Sequence, residues 1–179
     1  MFLSDVLDLT IKKLKTQTAN VLTLANLSLG GLAILFAING NLNLTALLIF
    51  VAALADRFDG MAARKLNIVS DMGKQLDSMS DIISFGVAPS LLLYQGILAG
   101  FGAPGSFIAI LYIGCGAVRL ARFNISEQNG YFTGLPITAA GCLATLSFLA
   151  IPYLPEPLFL FIMLTLSFLM ISPFKLKKM

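Results

Sequence analysis

Apolar residues dominate the chain in long runs that short polar segments separate. A membrane-spanning helix needs about 20 predominantly apolar residues. On that basis we predict six transmembrane helices, at residues 20–39, 42–63, 77–99, 105–124, 134–153 and 156–173. Residues 1–19 combine Leu3, Val6, Leu7 and Leu14 with three lysines, which is typical of an amphipathic helix lying in the membrane interface. A frayed polar leader is the alternative for that segment. The pattern predicts an all-α, polytopic membrane protein.

Composition supports this prediction. Hydrophobic residues make up 58% of the chain and charged residues 12%, and the mean hydropathy is +0.89, far from the averages of soluble globular proteins. We therefore expect a single membrane domain over residues 1–179. It would consist of the interfacial helix at 1–19, the six spans within 20–173 and a basic cytoplasmic tail at 174–179.

The basic residues occur only in alternate connections and at the termini, so they all fall on one side of the predicted membrane. All of them fall at the two termini or around the second and fourth connections: Lys12, Lys13, Lys15, Arg57, Arg64, Lys65, Lys74, Arg119, Arg122, Lys175, Lys177 and Lys178. This is the positive-inside pattern, and it predicts that both termini are cytoplasmic. A net charge of +3 spread along one membrane face favours anionic membrane lipids over nucleic acid as the partner.

Four aspartates stand out in this apolar background: Asp56, Asp59, Asp77 and Asp81. Carboxylates at membrane depth are costly and are usually functional. Their spacings of three and four residues put them on one face of each of two helices. If the connection near residues 65–72 folds those helices back antiparallel, all four reach a common depth beside the cytoplasm. Any one of them alone would more simply pair with a nearby cation, but four at helical spacing favour a functional site.

The chemistry of such a cluster points to metal. Like charges held together repel unless a cation compensates them, and oxygen ligands favour hard cations such as Mg²⁺, Mn²⁺ or Ca²⁺. The chain has no histidine, and its two cysteines, Cys115 and Cys142, lie within predicted spans as packing residues. Two divalent cations would balance four carboxylates and attract a polyphosphate, which is typical of phosphoryl-type chemistry. Small residues that would admit a nucleotide and a cation that would bind phosphate lie beside the acids: Gly60, Ala63, Gly73 and Arg64.

The pattern Asp-x2-Asp-Gly-x2-Ala-Arg-x8-Gly-x3-Asp-x3-Asp, from Asp56 to Asp81, resembles the motif of the CDP-alcohol phosphotransferases. That resemblance implies a homodimeric membrane enzyme that uses Mg²⁺ or Mn²⁺ to transfer a phosphatidyl group from a CDP-linked lipid to an alcohol, with CMP as leaving group. It implies that the four acids bind metal and that Asp81 is also the base that deprotonates the acceptor. The implied contacts to the CDP-lipid are Asn20, Thr23, Asn26, Gly60, Ala63, Arg64, Ser70 and Gly73.

Three further segments are similar to the membrane-spanning phosphatidylserine synthases of bacteria: Ser84–Pro89, Arg119–Asn124 and Phe132–Pro136. This similarity implies CDP-diacylglycerol as donor, L-serine as acceptor and a bacterial-type cell membrane with the active site on the cytoplasmic side. Arg119, Arg122 and Lys74 are candidates to bind the acceptor or a phosphate, although both arginines are also explained as positive-inside anchors.

Residue chemistry alone leaves two alternatives open. The acceptor could be glycerol 3-phosphate or inositol, since glycerol 3-phosphate also needs cationic partners. A divalent-cation transporter is the alternative from another class, because acids inside a membrane can line an ion path. The second and third predicted spans become plainly apolar beyond the acids, which argues against a path that crosses the membrane.

Overall fold

The computed structural model describes residues 2–65, 71–126, 131–173 and 175–177, with side chains for 20–58, 60–61, 72–125 and 134–173. Helices make up nearly all of these residues, which confirms the predicted all-α class. In chain order the elements are α1 (Phe2–Ile38), α2 (Leu42–Lys65), α3 (Asp71–Asp81), a π-helix (Ile82–Val87), α4 (Ala88–Gly96), a 3₁₀ turn (Leu98–Phe101), α5 (Ala103–Ser126), β1 (Tyr131–Thr133), α6 (Ile137–Leu149), α7 (Pro157–Ile171) and β2 (Lys175–Lys177).

Helices α1 and α2 form an antiparallel hairpin. The chain reverses at Gly40, whose φ of 78° lies in the left-handed region that glycine adopts without a Cβ clash. The Thr45 hydroxyl then donates a hydrogen bond to the Ala33 carbonyl at 3.3 Å and joins the two helices. Helix α1 begins at Phe2 and runs without a break into the first predicted span. The interfacial position of residues 1–19 stays a prediction.

The third predicted span consists of three helical pieces in one continuous run, α3, the π-helix and α4. The π-helix, which is wider than an α-helix, ends two residues before Pro89. Proline has no N–H, and its ring clashes with the carbonyl four residues earlier, here that of Phe85. Here the backbone hydrogen bond spans five residues instead of four, because the Ala88 N–H donates to the Ile83 carbonyl.

Within the described residues, three helical stretches are long and apolar enough to cross a membrane: Asn20–Ile38, Met72–Gly96 and Ala103–Ile125. They correspond to the first, third and fourth predicted spans and support a membrane protein. Helices α6 and α7 are apolar but have only 13 and 15 residues, fewer than the roughly 20 that a typical bilayer needs. The prediction of six spans is thus supported for three, and the other three remain a prediction.

The core forms where the π-helix and α4 pack among the other helices. Helix α1 packs on α2, α3 and the π-helix, α4 packs on α6, and α5 packs on α7. Phe85, Leu92, Tyr112 and Phe159 are fully buried there. Strands β1 and β2 pair antiparallel, with Phe132 opposite Leu176, and this short pairing brings the C-terminal segment beside the chain that follows α5.

Candidate active site

Three of the four predicted acids meet on the inner face of the α2–α3 pair. Asp56 lies near the end of α2, and Asp77 and Asp81 lie one turn apart on α3. One carboxylate oxygen from each lies within 4.8 Å of the others, and all three residues are half-buried. The side chain of Asp59 lies outside the described side chains, although its backbone belongs to α2.

This acid cluster, Asp56 with Asp77 and Asp81, has the chemistry of a divalent-cation site. Asp56 and Asp77 interact electrostatically, and two like charges at close range need a compensating cation. Three oxygens within 4.8 Å of one another lie at most about 2.8 Å from a common point, close to the roughly 2.0–2.6 Å of Mg²⁺ and Ca²⁺ bonds to oxygen. The all-oxygen donor set therefore fits a hard divalent cation.

A buried face of α1 packs against the acid-bearing helix. The Ser80 hydroxyl donates to the Thr23 carbonyl at 3.3 Å, and the Ser84 hydroxyl donates to the Asn26 carbonyl at 3.1 Å. The Asn26 side chain is fully buried, and neither atom of its amide has a hydrogen-bond partner among the described residues. Burying an amide without a partner is costly, so Asn26 is a candidate for contact with a polar ligand.

The remaining residues predicted to contact the nucleotide are described only in part. Asn20, Gly60 and Gly73 are half-buried, and the two glycines lie on the helices that carry the acids. The side chains of Ala63 and Arg64 lie outside the described set, and Ser70 lies outside the described residues altogether.

Helix α5 reaches α3 through polar side chains. The Asn124 side-chain amide donates to the Ser78 hydroxyl at 3.1 Å. Further along the same interface, Arg119 is buried and interacts electrostatically with Asp81. Within the part of the chain that has described side chains, the Arg119 Nε has no hydrogen-bond partner.

The two candidate acceptor-binding arginines have different environments. Arg119 is buried and interacts electrostatically with Asp81, whereas Arg122 is exposed and donates from Nη1 to the Ile171 carbonyl at 3.1 Å. Lys74 is half-buried on α3, one turn before Ser78. The sequence made both arginines candidates to bind the acceptor or a phosphate, and the structure places the Arg122 guanidinium on the end of α7.

Sequence reasoning missed four polar residues that hold the acid-bearing helix in place, namely Ser78, Ser80, Ser84 and Asn124. A signal was available, because Ser80 and Ser84 are four residues apart and so share a helix face. Asn124 is also the last residue of Arg119–Asn124, one of the segments that are similar to the phosphatidylserine synthases of bacteria.

Comparison with known proteins agrees with this geometry. The CDP-alcohol phosphatidyltransferase family matches residues 16–172. A CDP-diacylglycerol–serine O-phosphatidyltransferase of Bacillus subtilis (strain 168) is 46% identical over 136 residues, or 75% of this chain and 77% of the relative. An archaetidylserine synthase of Methanothermobacter thermautotrophicus is 40% identical over 156 residues, or 86% of this chain and 66% of the relative.

A CDP-diacylglycerol–serine O-phosphatidyltransferase of Helicobacter pylori (strain 26695) is 36% identical over 162 residues, or 86% of this chain and 68% of the relative. The family match covers nearly the whole chain and includes all four motif aspartates as well as the α1 and α5 contacts to α3. The chain therefore belongs to the CDP-alcohol phosphatidyltransferase family.

Proposed function

We propose that this protein transfers the phosphatidyl group of CDP-diacylglycerol to the hydroxyl of L-serine, giving phosphatidylserine and CMP. The observation that carries the proposal is the convergence of Asp56, Asp77 and Asp81 within 4.8 Å in a chain that matches the family from residue 16 to 172. The serine-specific names of the relatives from Bacillus and Helicobacter support the choice of acceptor. The two alternative functions, transfer to another acceptor and cation transport, are not supported by the names of these relatives.

We propose that Asp56, Asp59, Asp77 and Asp81 hold two divalent cations, Mg²⁺ or Mn²⁺. Bound cations of this kind offset the charge of a pyrophosphate and of the departing phosphate. The carboxylates would determine the position of these cations. Three of the carboxylates come from two helices that pack against α1. A site supported by packed helices is more precise than one on loops.

The donor nucleotide is proposed to bind between α1 and the acid-bearing helices. The buried Asn26 amide would pair with polar groups of the nucleotide, which removes the cost of burying it alone. Asn20, Thr23, Gly60, Ala63, Arg64, Ser70 and Gly73 complete the proposed contacts. The half-buried Gly60 and Gly73 carry no side chains that would obstruct a bulky ligand.

Asp81 is proposed as the general base. Its carboxylate would accept the proton of the serine hydroxyl at a distance of about 2.6–3.2 Å. The serine oxygen then forms a bond to the lipid-side phosphorus, and the bond from that phosphorus to the pyrophosphate bridging oxygen breaks, so that CMP leaves. With no histidine in the chain, a carboxylate is the natural group for this task.

Arg119 is the better placed of the two arginines to bind the acceptor. It is buried and interacts electrostatically with Asp81, so an anion bound to its guanidinium would lie near the base. A guanidinium binds a carboxylate through two parallel hydrogen bonds. We therefore propose that Arg119 binds the carboxylate of serine and that Arg122 has a supporting role at the end of α7. A role for Lys74 in binding a phosphate is proposed on its position on α3 alone.

For the membrane arrangement we propose one multi-pass domain over residues 1–179, with both termini and the acid cluster on the cytoplasmic side of a bacterial-type cell membrane. The distribution of Lys and Arg supports this orientation. A homodimer is proposed from family membership alone.

The test is to incubate the purified protein with CDP-diacylglycerol, labelled L-serine and Mn²⁺ or Mg²⁺, and to measure CMP and labelled lipid together. We expect the two products in equal amounts, their loss on chelation, and their recovery when the metal is restored. Release of CMP without labelled lipid would overturn transfer to serine, and release of neither would overturn the proposed function.

A further inference from the structure

The π-helix at Ile82–Val87, which we call the π-segment, begins at the residue directly after Asp81. It coincides with most of the Ser84–Pro89 segment that the motif chemistry did not explain. Turns of this type are rare and occur often at functional sites. The structure shows both why the π-segment forms and which residues hold it in place.

Pro89 deprives the Phe85 carbonyl of the donor that it would have in an α-helix. In an α-helix the Phe85 carbonyl would accept from the N–H of residue 89, but Pro89 has none. The hydroxyl of Tyr112 on α5 donates to that carbonyl at 3.1 Å. Tyr112 is the largest fully buried side chain that the structure describes, so water has no access to replace it.

Two other helices approach the π-segment closely enough to prevent it from shifting. A Cβ added to Gly141 on α6 would lie 2.8 Å from the Phe85 carbonyl oxygen, and one added to Gly30 on α1 would lie 2.9 Å from the Ser84 Cα. Real Cβ atoms do not come this close to backbone atoms. The π-segment is therefore held by α1 on one side, α6 on another and the Tyr112 hydroxyl on a third.

A wider turn changes the angular register of the residues before it relative to those after it. The half that follows is fixed, since Leu92 and Leu93 are fully buried. The half that precedes carries Asp77 and Asp81. The geometry of the π-segment consequently sets the direction in which Asp81 faces.

We propose that Tyr112 is a positioning residue for the transfer reaction, whose hydroxyl holds the π-segment at Phe85 and thereby aims the Asp81 carboxylate at the acceptor. This inference rests on the proposed role of Asp81. The Tyr112 hydroxyl is fully buried on the Phe85 carbonyl, so its effect would act through the alignment of the base. Misplacement of a reacting group by about 1 Å can reduce the rate by roughly 10²-fold.

The test is Tyr112→Phe, which removes only the hydroxyl. We expect kcat to fall about tenfold or more, with KM for CDP-diacylglycerol little changed, because alignment is lost and binding is not. Tyr94→Phe is the matched control, since that hydroxyl accepts from Ser106 at 3.3 Å at the end of α4 away from the acids. An equal loss in both variants, or a kcat for Tyr112→Phe within about twofold of the parent, would overturn the proposal.

A double variant separates alignment from stability. In Tyr112→Phe combined with Pro89→Ala, the new N–H at position 89 can satisfy the Phe85 carbonyl as in an ordinary α-helix. Tyr112→Phe alone should lower the thermal unfolding midpoint, because the Phe85 carbonyl loses its donor. In the double variant we expect the midpoint to recover while kcat stays low, because the chain no longer needs the π-segment. Recovery of kcat along with the midpoint would show that Tyr112 serves only to satisfy a buried carbonyl, and would overturn the proposal.

Hydrogen exchange gives a reading that does not depend on the reaction. The backbone amides of residues 82–96 should exchange faster in Tyr112→Phe than in the parent, while Tyr94→Phe leaves residues 82–88 unchanged. If exchange is faster in Tyr112→Phe but the parent protein has no transferase activity, the proposed function is wrong while Tyr112 still holds the π-segment. If exchange in Tyr112→Phe is unchanged, the proposed role of Tyr112 is wrong.

Discussion

The guanidinium of Arg119 on α5 interacts electrostatically with the carboxylate of Asp81 on α3. Arg119 is only 8% exposed, and the Ser78–Asn124 hydrogen bond fixes the same interface a short distance along it. A buried cation that interacts with the proposed base is well placed to bind the acceptor. Arg122, three residues further on, is exposed.

Replacing Arg119 with lysine should weaken serine binding selectively. Lysine keeps the charge but loses the fork that binds a carboxylate at two points. Hydrogen bonds to charged groups contribute about 1.5–3 kcal/mol, so we expect KM for serine to rise at least about tenfold. KM for CDP-diacylglycerol should change less. Arg122→Lys is the matched control, and steady-state kinetics with both variants make the comparison. Equal effects on serine in the two variants would contradict the assignment.

Asp81→Asn should separate chemistry from binding. The amide keeps the size and one carbonyl oxygen but cannot accept the serine proton, so turnover should fall by at least about 10²-fold. Affinity for the CDP-lipid in Mn²⁺ should fall far less. Asp59→Asn should instead weaken metal and nucleotide binding together. Calorimetry and CMP release measure the two effects, and near-normal turnover in Asp81→Asn would show that another group takes the proton.

Gly30→Ala should destabilise the protein, because the added methyl group meets Ser84 on the neighbouring helix. Overpacking of this kind costs about 1–3 kcal/mol. Gly31→Ala is the control next to it, since a Cβ there meets nothing within 4 Å and alanine favours a helix over glycine by about 1 kcal/mol. Unfolding in detergent compares the two. Equal stability would mean that α1 does not pack against the π-segment as described.

How far the sequence determines this site is clearest at the acids. The three- and four-residue spacings predicted that the acids of two helices would converge, and the structure brings Asp56, Asp77 and Asp81 together. Periodicity suffices to place the acids of each helix on one face whatever surrounds it, whereas their convergence also required α2 and α3 to come together in the fold. The side chain of Asp59 lies outside the described set, so its part in the cluster remains a prediction.

The π-segment could not be predicted in the same way. Pro89 inside a predicted span signals a distortion but does not say whether the helix kinks, breaks or widens. The outcome depends on Tyr112, which is 23 residues away along the chain, and on the close approach of Gly141. Likewise, a spacing of three residues could not show that Arg119 is buried while Arg122 contacts α7, because that difference comes from which helix lies beside each one.

Membrane orientation can be tested by cysteine labelling. Cys115 and Cys142 are first replaced by alanine, and single cysteines are then introduced at Asn41, Gly100 or Lys65. Asn41 and Gly100 are exposed at connections without basic residues, so the positive-inside rule predicts that they react only from outside the cell. Cysteine at position 65 should react only from the cytoplasmic side. Finding all three on one side would contradict the proposed topology.

The most direct test of the central claim is a competition among acceptors. The purified protein is given CDP-diacylglycerol and Mn²⁺ with L-serine, glycerol 3-phosphate and inositol together at equal concentrations, and the lipid products are identified by mass spectrometry. We predict phosphatidylserine as the dominant product, formed in step with CMP and reduced at least about 10²-fold in Asp81→Asn. A product made mainly from glycerol 3-phosphate or inositol would contradict the account.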